Sequence, residues 1–273
     1  MKESEVHAVS EKLARLKSEF QVDVFADWGN SDSPNSGSSQ MGSWAVDELD
    51  RLYDTILLLA NAIGGNGRLA QLLGGVTVQK TDIGSHAGEA LAHKVSFAKE
   101  GSFGSWTVVH EFAHAWDANH GWKLSRLLEK YTGGFTSRFL SRISCRFGLW
   151  DAGPKGPEKV PGRYGRRPGC NAAGYFYGDK PSGSNWAFNR IEDFAECVAM
   201  YVGWEKDNAL TEHARNRVIR YEKFKNGEKD YFGVLDNWAD YAKYFYPAGG
   251  DYTKTKRWKF VDELVSGRTE INP

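Results

Sequence analysis

The residues best suited to chemistry in this chain form one short run, His110-Glu111-Phe112-Ala113-His114, an HExxH pattern. Residues four apart lie on the same face of a helix, so two imidazoles at this spacing can point at one metal ion. The glutamate beside the first histidine projects off that face, where it can take a proton from a water activated by the ion. The flanks Val108, Val109, Phe112, Ala113 and Trp116 are apolar, which predicts a buried helix. A buried histidine pair with nothing to bind is costly, so the pattern favours a metal centre over a solvated surface helix. The ion that suits two imidazoles and an activated water is zinc, one Zn2+ per chain.

Two histidines and a water leave such a site one protein ligand short. The segment Asn189-Arg190-Ile191-Glu192-Asp193-Phe194-Ala195-Glu196 supplies a candidate. Glu192 and Glu196 share a helix face in the same way as the histidines, so Glu192 can bind metal while Glu196 accepts the free N–H of a ligand histidine. Asn189 with Glu192 also reads as a capping box, a purely structural role for one glutamate. It leaves Glu196 unexplained, on a stripe otherwise filled by Phe194, Ala195, Val198 and Ala199. The rival ligand is His120, six residues after His114. It completes HExxHxxDxxH, close to the metzincin pattern, with Asp117 in place of a glycine. Met200 lies in a segment read as helical and makes a poor Met-turn. Before Gly121, His120 also suits a helix C-terminus.

The elements that must position these residues follow from periodicity. Residues 3–20 read as an amphipathic helix and Phe20–Phe25 as a strand. Trp44–Ile63 reads as a long helix with apolar positions at Leu49, Leu52, Ile56, Leu59 and Ile63, stopped by Gly64-Gly65. A short helix follows at Arg68–Leu73. Gly75–Lys80 and Ala90–Ala98 read as strands, and Ser105–Asn119 as the helix carrying the motif, capped by Ser102 or Ser105. Beyond Gly121 the chain turns helical and aromatic, then enters a Gly/Pro/Arg-rich loop at 148–185, of a length that is usually functional or mobile, the bland alternative being an insertion with no role. Helices are expected at Arg190–Trp204 and Thr211–Phe224, and an aromatic tail, YFGVLDNWADYAKYFYP, completes the core. The fold class expected is α+β: an N-terminal lobe over 1–120 with a mixed sheet, a backing helix and the HExxH helix, and a mainly helical lobe over 121–273. Together they make one catalytic domain.

Composition removes several classes. Lys+Arg and Asp+Glu balance at 35 each, with a pI near 7.1, so no overall field favours nucleic acid or an anionic membrane. The apolar run Ile56–Ala60 is far short of a membrane span. The first twenty residues are charged and helical in pattern, so no signal peptide is read. Three cysteines without a CxxC argue against a thiolate metal site or a disulfide scaffold, leaving at most a Cys145–Cys170 bridge.

With HEFAH and EDFAE together, the chain resembles the gluzincin metallopeptidases, and among them the anthrax lethal-factor-type catalytic domain. The resemblance is carried by Val108–Asp117 and Ile191–Tyr201, with Ala90–Ala98 in the place of the edge strand. It implies a two-lobed zincin-like fold and a zinc-dependent endopeptidase. His110, His114 and Glu192 would be ligands, Glu196 a support for a histidine, and Glu111 the general base. It also implies a protein or peptide substrate added to strand Ala90–Ala98 and a secreted or exported effector; a monomer is expected, and composition gives it neither nucleic-acid nor membrane partners. Such enzymes place a tyrosine seven residues before the ligand glutamate; here that position is Asn185. The oxyanion donor is therefore sought at Tyr177, with Tyr175, Tyr201, Tyr221 and His213 open. The alternative is a catalytically silent scaffold that binds protein.

Overall fold

The computed structural model describes residues 3–25, 44–84, 86–100, 103–131, 190–205, 208–215 and 251–268. The chain divides into two compact units, Met1–Gly121 and Trp122–Pro273. It is an α+β protein with a small mixed sheet, and among the described residues no helix is long and apolar enough to cross a membrane.

In the first unit the order is α1 (Glu3–Phe20), β1 (Val22–Phe25), α2 (Val46–Ala62), α3 (Asn66–Leu73), β2 (Val76–Thr81), β3 (Gly88–Leu91), β4 (Lys94–Ala98) and α4 (Ser105–Asn119). The apolar stripe of α2 does what its spacing dictates. Leu49, Leu52, Ile56, Leu59 and the capping Ile63 are all buried, and the helix packs on α1 and α4. Its first turn is held by the Glu48 carboxylate, which accepts the Ala45 N–H at 2.9 Å and an ion pair from Lys80 of β2 at 2.8 Å. Both charged side chains are buried.

The sheet order is β1-β2-β4-β3, with β1, β2 and β4 parallel and β3 antiparallel to β4. Alternation places Val76 and Val78 of β2 and Val95 and Phe97 of β4 in the core. Phe97 stacks on Phe103, ring centroids 4.4 Å apart, and Trp44 meets both rings edge-on.

Two sequence expectations need correction here. Ala90–Ala98 is not one strand but most of a hairpin, β3 and β4, turning at Ala92-His93. His93 takes the left-handed conformation (φ 59°), an uncommon choice for a residue other than glycine. Contacts from elsewhere hold it there, which is why local composition did not reveal the turn. Consequently β4 is paired on both sides and has no edge for a substrate strand; β3 does. The N-cap of the motif helix is Gly104 rather than Ser105, and Ser102 lies outside the described residues. Ser105 is the first helical residue, and its Oγ accepts a hydrogen bond from Thr55 Oγ1 at 2.9 Å.

The second unit contains α5 (Lys123–Tyr131), α6 (Arg190–Glu205), a helical stretch at 211–215, a 3₁₀ turn at Tyr252–Lys254 and α7 (Lys256–Val265). α5, α6 and α7 pack on one another around Leu124, Leu128, Phe194, Val198, Phe260 and Leu264. A glycine inside α6 has a visible reason: a Cβ on Gly203 would stand 3.0 Å from the Leu210 carbonyl oxygen. α7 has no counterpart in the sequence reading. Thr255 starts it by accepting the Trp258 N–H at 3.0 Å. The 148–185 loop, most of the expected Thr211–Phe224 helix and the aromatic tail lie outside the described residues.

Candidate metal centre

The motif sits mid-helix in α4, the most enclosed element of the first unit. All ten residues from Val108 to Asp117 are buried, so no face of this stretch is free to be merely solvated. At about 100° per residue, His110 and His114 lie about 40° apart around the helix, and Glu111 flanks them about 60° beyond His114. The two ring Nε2 atoms approach to 3.0 Å, the rings nearly perpendicular with centroids 4.6 Å apart. Two nitrogen lone pairs do not face each other at this distance without a positive centre to share. Either one imidazole donates an N–H to the other, or both lone pairs serve a cation.

Glu192 lies in the first turn of α6, half-buried, and Glu196 is buried one turn on. A ligand atom from each of His110, His114 and Glu192 falls in one group whose members are all within 4.8 Å of one another. The donor set fits a divalent transition metal. Two imidazole nitrogens and a carboxylate oxygen are a set used by catalytic zinc, and also by non-haem iron. Tetrahedral zinc bonds of about 2.0–2.2 Å put donors about 3.3–3.5 Å apart. The histidine pair is already near that spacing.

His120 is not in that group. Its Nδ1 meets the Trp116 carbonyl oxygen at 2.9 Å, the contact of a histidine finishing a helix. Tyr201 is buried, stacks near Trp258 (4.4 Å between centroids) and donates its hydroxyl to Asp262 Oδ1 at 3.3 Å. His213 is half-buried in the 211–215 stretch. Tyr177, Tyr175, Tyr221, Asn185, Asn189, Cys145 and Cys170 lie outside the described residues, while Cys197 is buried in α6.

Two features escaped the sequence reading. Asp117 is completely buried and shares the helix face of His110 and His114, a placement that helical spacing alone makes visible. Asn119, in the last turn of α4, accepts the His93 backbone N–H at 2.9 Å and donates its amide to the Leu73 carbonyl oxygen. His93 in turn reaches the Gly75 carbonyl oxygen through Nδ1 at 3.0 Å. The end of the motif helix is thereby tied to the β3–β4 turn and to the end of α3. No family model matches the chain, and neither a curated protein nor a solved structure does.

Proposed function

We propose that this chain is a zinc-dependent endopeptidase of zincin-like, two-lobed architecture. The observation that carries the reading is the convergence of His110, His114 and Glu192 donor atoms to within 4.8 Å, with a buried glutamate, Glu111, next to the first of them. His110, His114 and Glu192 would hold the metal, and Glu196, buried one helical turn beyond Glu192, would support them. When bound, zinc supplies Lewis acidity, bringing the pKa of a coordinated water toward neutrality. Glu111 is not counted among the ligands. Its carboxylate accepts the proton of the attacking water and returns it to the leaving amine, so one residue acts first as base and then as acid. The substrate is a protein or peptide whose backbone is held in the site.

Metal analysis of the purified protein, together with chelator-sensitive cleavage of casein, tests the reading. One zinc per chain is expected, lost in Glu192→Ala and retained in His120→Ala. Glu111→Gln should keep zinc and lose cleavage by about 10²-fold or more, the usual contribution of a general base. Zinc without cleavage would move the protein to the silent-scaffold reading. Iron in place of zinc would remove the hydrolase assignment.

A further inference from the structure

Gly88, the first residue of the edge strand β3, stands against the motif helix at the level of Glu111. A Cβ built on it would lie 2.5 Å from Glu111 Cγ, 2.6 Å from Oε1 and 2.7 Å from Cδ. Carbon atoms do not approach that closely, so any side chain at 88 requires Glu111 or the strand to move. The backbone gives no independent reason for glycine: Gly88 is not among the positive-φ glycines and pairs regularly with Phe97 in the ladder. The next residue on the same face of the strand, Ala90, does carry a Cβ. Glycine inside a strand weakens it and often marks a close approach by another group. The group here is the Glu111 side chain.

We propose that Gly88 is a positioning residue for Glu111: its missing side chain is the space in which the Glu111 carboxylate lies, and that space fixes where the base points. The functional half of this inference rests on Glu111 being the general base; the steric half does not. A carboxylate packed against a strand cannot swing as an exposed glutamate does. Its oxygens are therefore held in one place at low entropic cost, as preorganised catalysis requires. Alanine at 88 would push the carboxylate to another rotamer while leaving His110, His114 and Glu192 in place.

A double-mutant cycle in the full chain tests this through Gly88→Ala, Glu111→Ala and the pair, read by thermal unfolding, zinc content and casein cleavage. Gly88→Ala should lower the melting midpoint in the parent and do so far less in the Glu111→Ala background, which lacks all three overlapping atoms. Zinc content should be unchanged by Gly88→Ala. Its kcat should fall on the order of 10²-fold with KM little altered, and adding Gly88→Ala to Glu111→Ala should cost no further activity. If Gly88→Ala does not fold, the pair should fold; a pair that also fails overturns the proposal. An equal loss of midpoint in both backgrounds overturns it as well. Coupled midpoints in a protein that cleaves nothing would refute the endopeptidase reading and leave the steric relation standing.

Discussion

Asn119 offers the sharpest quantitative test of how the motif helix is held. Replacing it with alanine deletes two hydrogen bonds whose partners differ in burial. His93 is exposed, so its N–H regains water, and the loss is at the low end for a hydrogen bond, about 0.5 kcal/mol. Leu73 is 2% exposed, and leaving its carbonyl oxygen with one partner fewer costs about 2 kcal/mol. Alanine returns about 0.5 kcal/mol through its better helix propensity. The net is about 2 kcal/mol, enough to multiply the open population of the tied segment about 30-fold. Hydrogen exchange resolved on peptides spanning 66–75 and 88–98 should show that increase, while α1 should change little. Asn119→Asp keeps an acceptor for His93 but sets a carboxylate oxygen against the Leu73 carbonyl, so it should be at least as damaging at neutral pH. An Asn119→Ala protein whose hairpin exchanges within a factor of two or so of the parent would refute the claim that this amide ties α4 to the hairpin.

Two further predictions concern the scaffold of the first unit. Lys80 and Glu48 form a buried pair with side-chain exposures of 6% and 10%, so Lys80→Met should destabilise by about 3–5 kcal/mol in urea unfolding, and adding Glu48→Gln should recover much of it; equal losses in the single and double variants would deny the pairing. Glu19 is held below the ordinary carboxylate range first by its hydrogen bond from Arg15 and then by that from the Tyr53 hydroxyl. Because its folded value is the depressed one, the stabilisation is full above the unfolded value and disappears as pH falls through the folded one. The stability gap between the parent and Glu19→Gln should therefore hold from neutral pH downward and close only below the usual glutamate range.

What the sequence made legible was whatever rests on periodicity. The stripe of α2, the span of α4 and the strand β2 follow directly from spacing, and the HExxH face follows from the same rule. The hairpin was illegible because its turn residue, His93, is made acceptable by Asn119 and by Gly75, partners that only the folded chain brings near. The choice between Glu192 and His120 was open for a similar reason. Both have the right chemistry, and spacing carries no distances; the proposal of Glu192 rests on its place in one group with the histidine donors, while His120 bonds its own helix at Trp116. α7 is short and begins from a single threonine cap, so no long pattern announces it.

Gly88 shows the limit of spacing most clearly. Read along the chain, Ala87-Gly88-Glu89-Ala90 is a weak strand with a glycine in it, and nothing ties it to a helix twenty residues later. Read across the fold, the glycine is the complement of Glu111. The motif spreads its three chemical residues around one helix, so each needs its own neighbour. The histidines share a face, and in the proposed function one ion satisfies them with Glu192. Glu111 points elsewhere and is confined by the strand. The separation has a consequence. With the roles proposed above, changes at Glu192 should act on metal content and changes at Gly88 on the placement of Glu111, and the two effects should combine without coupling, because no atom is common to both contacts.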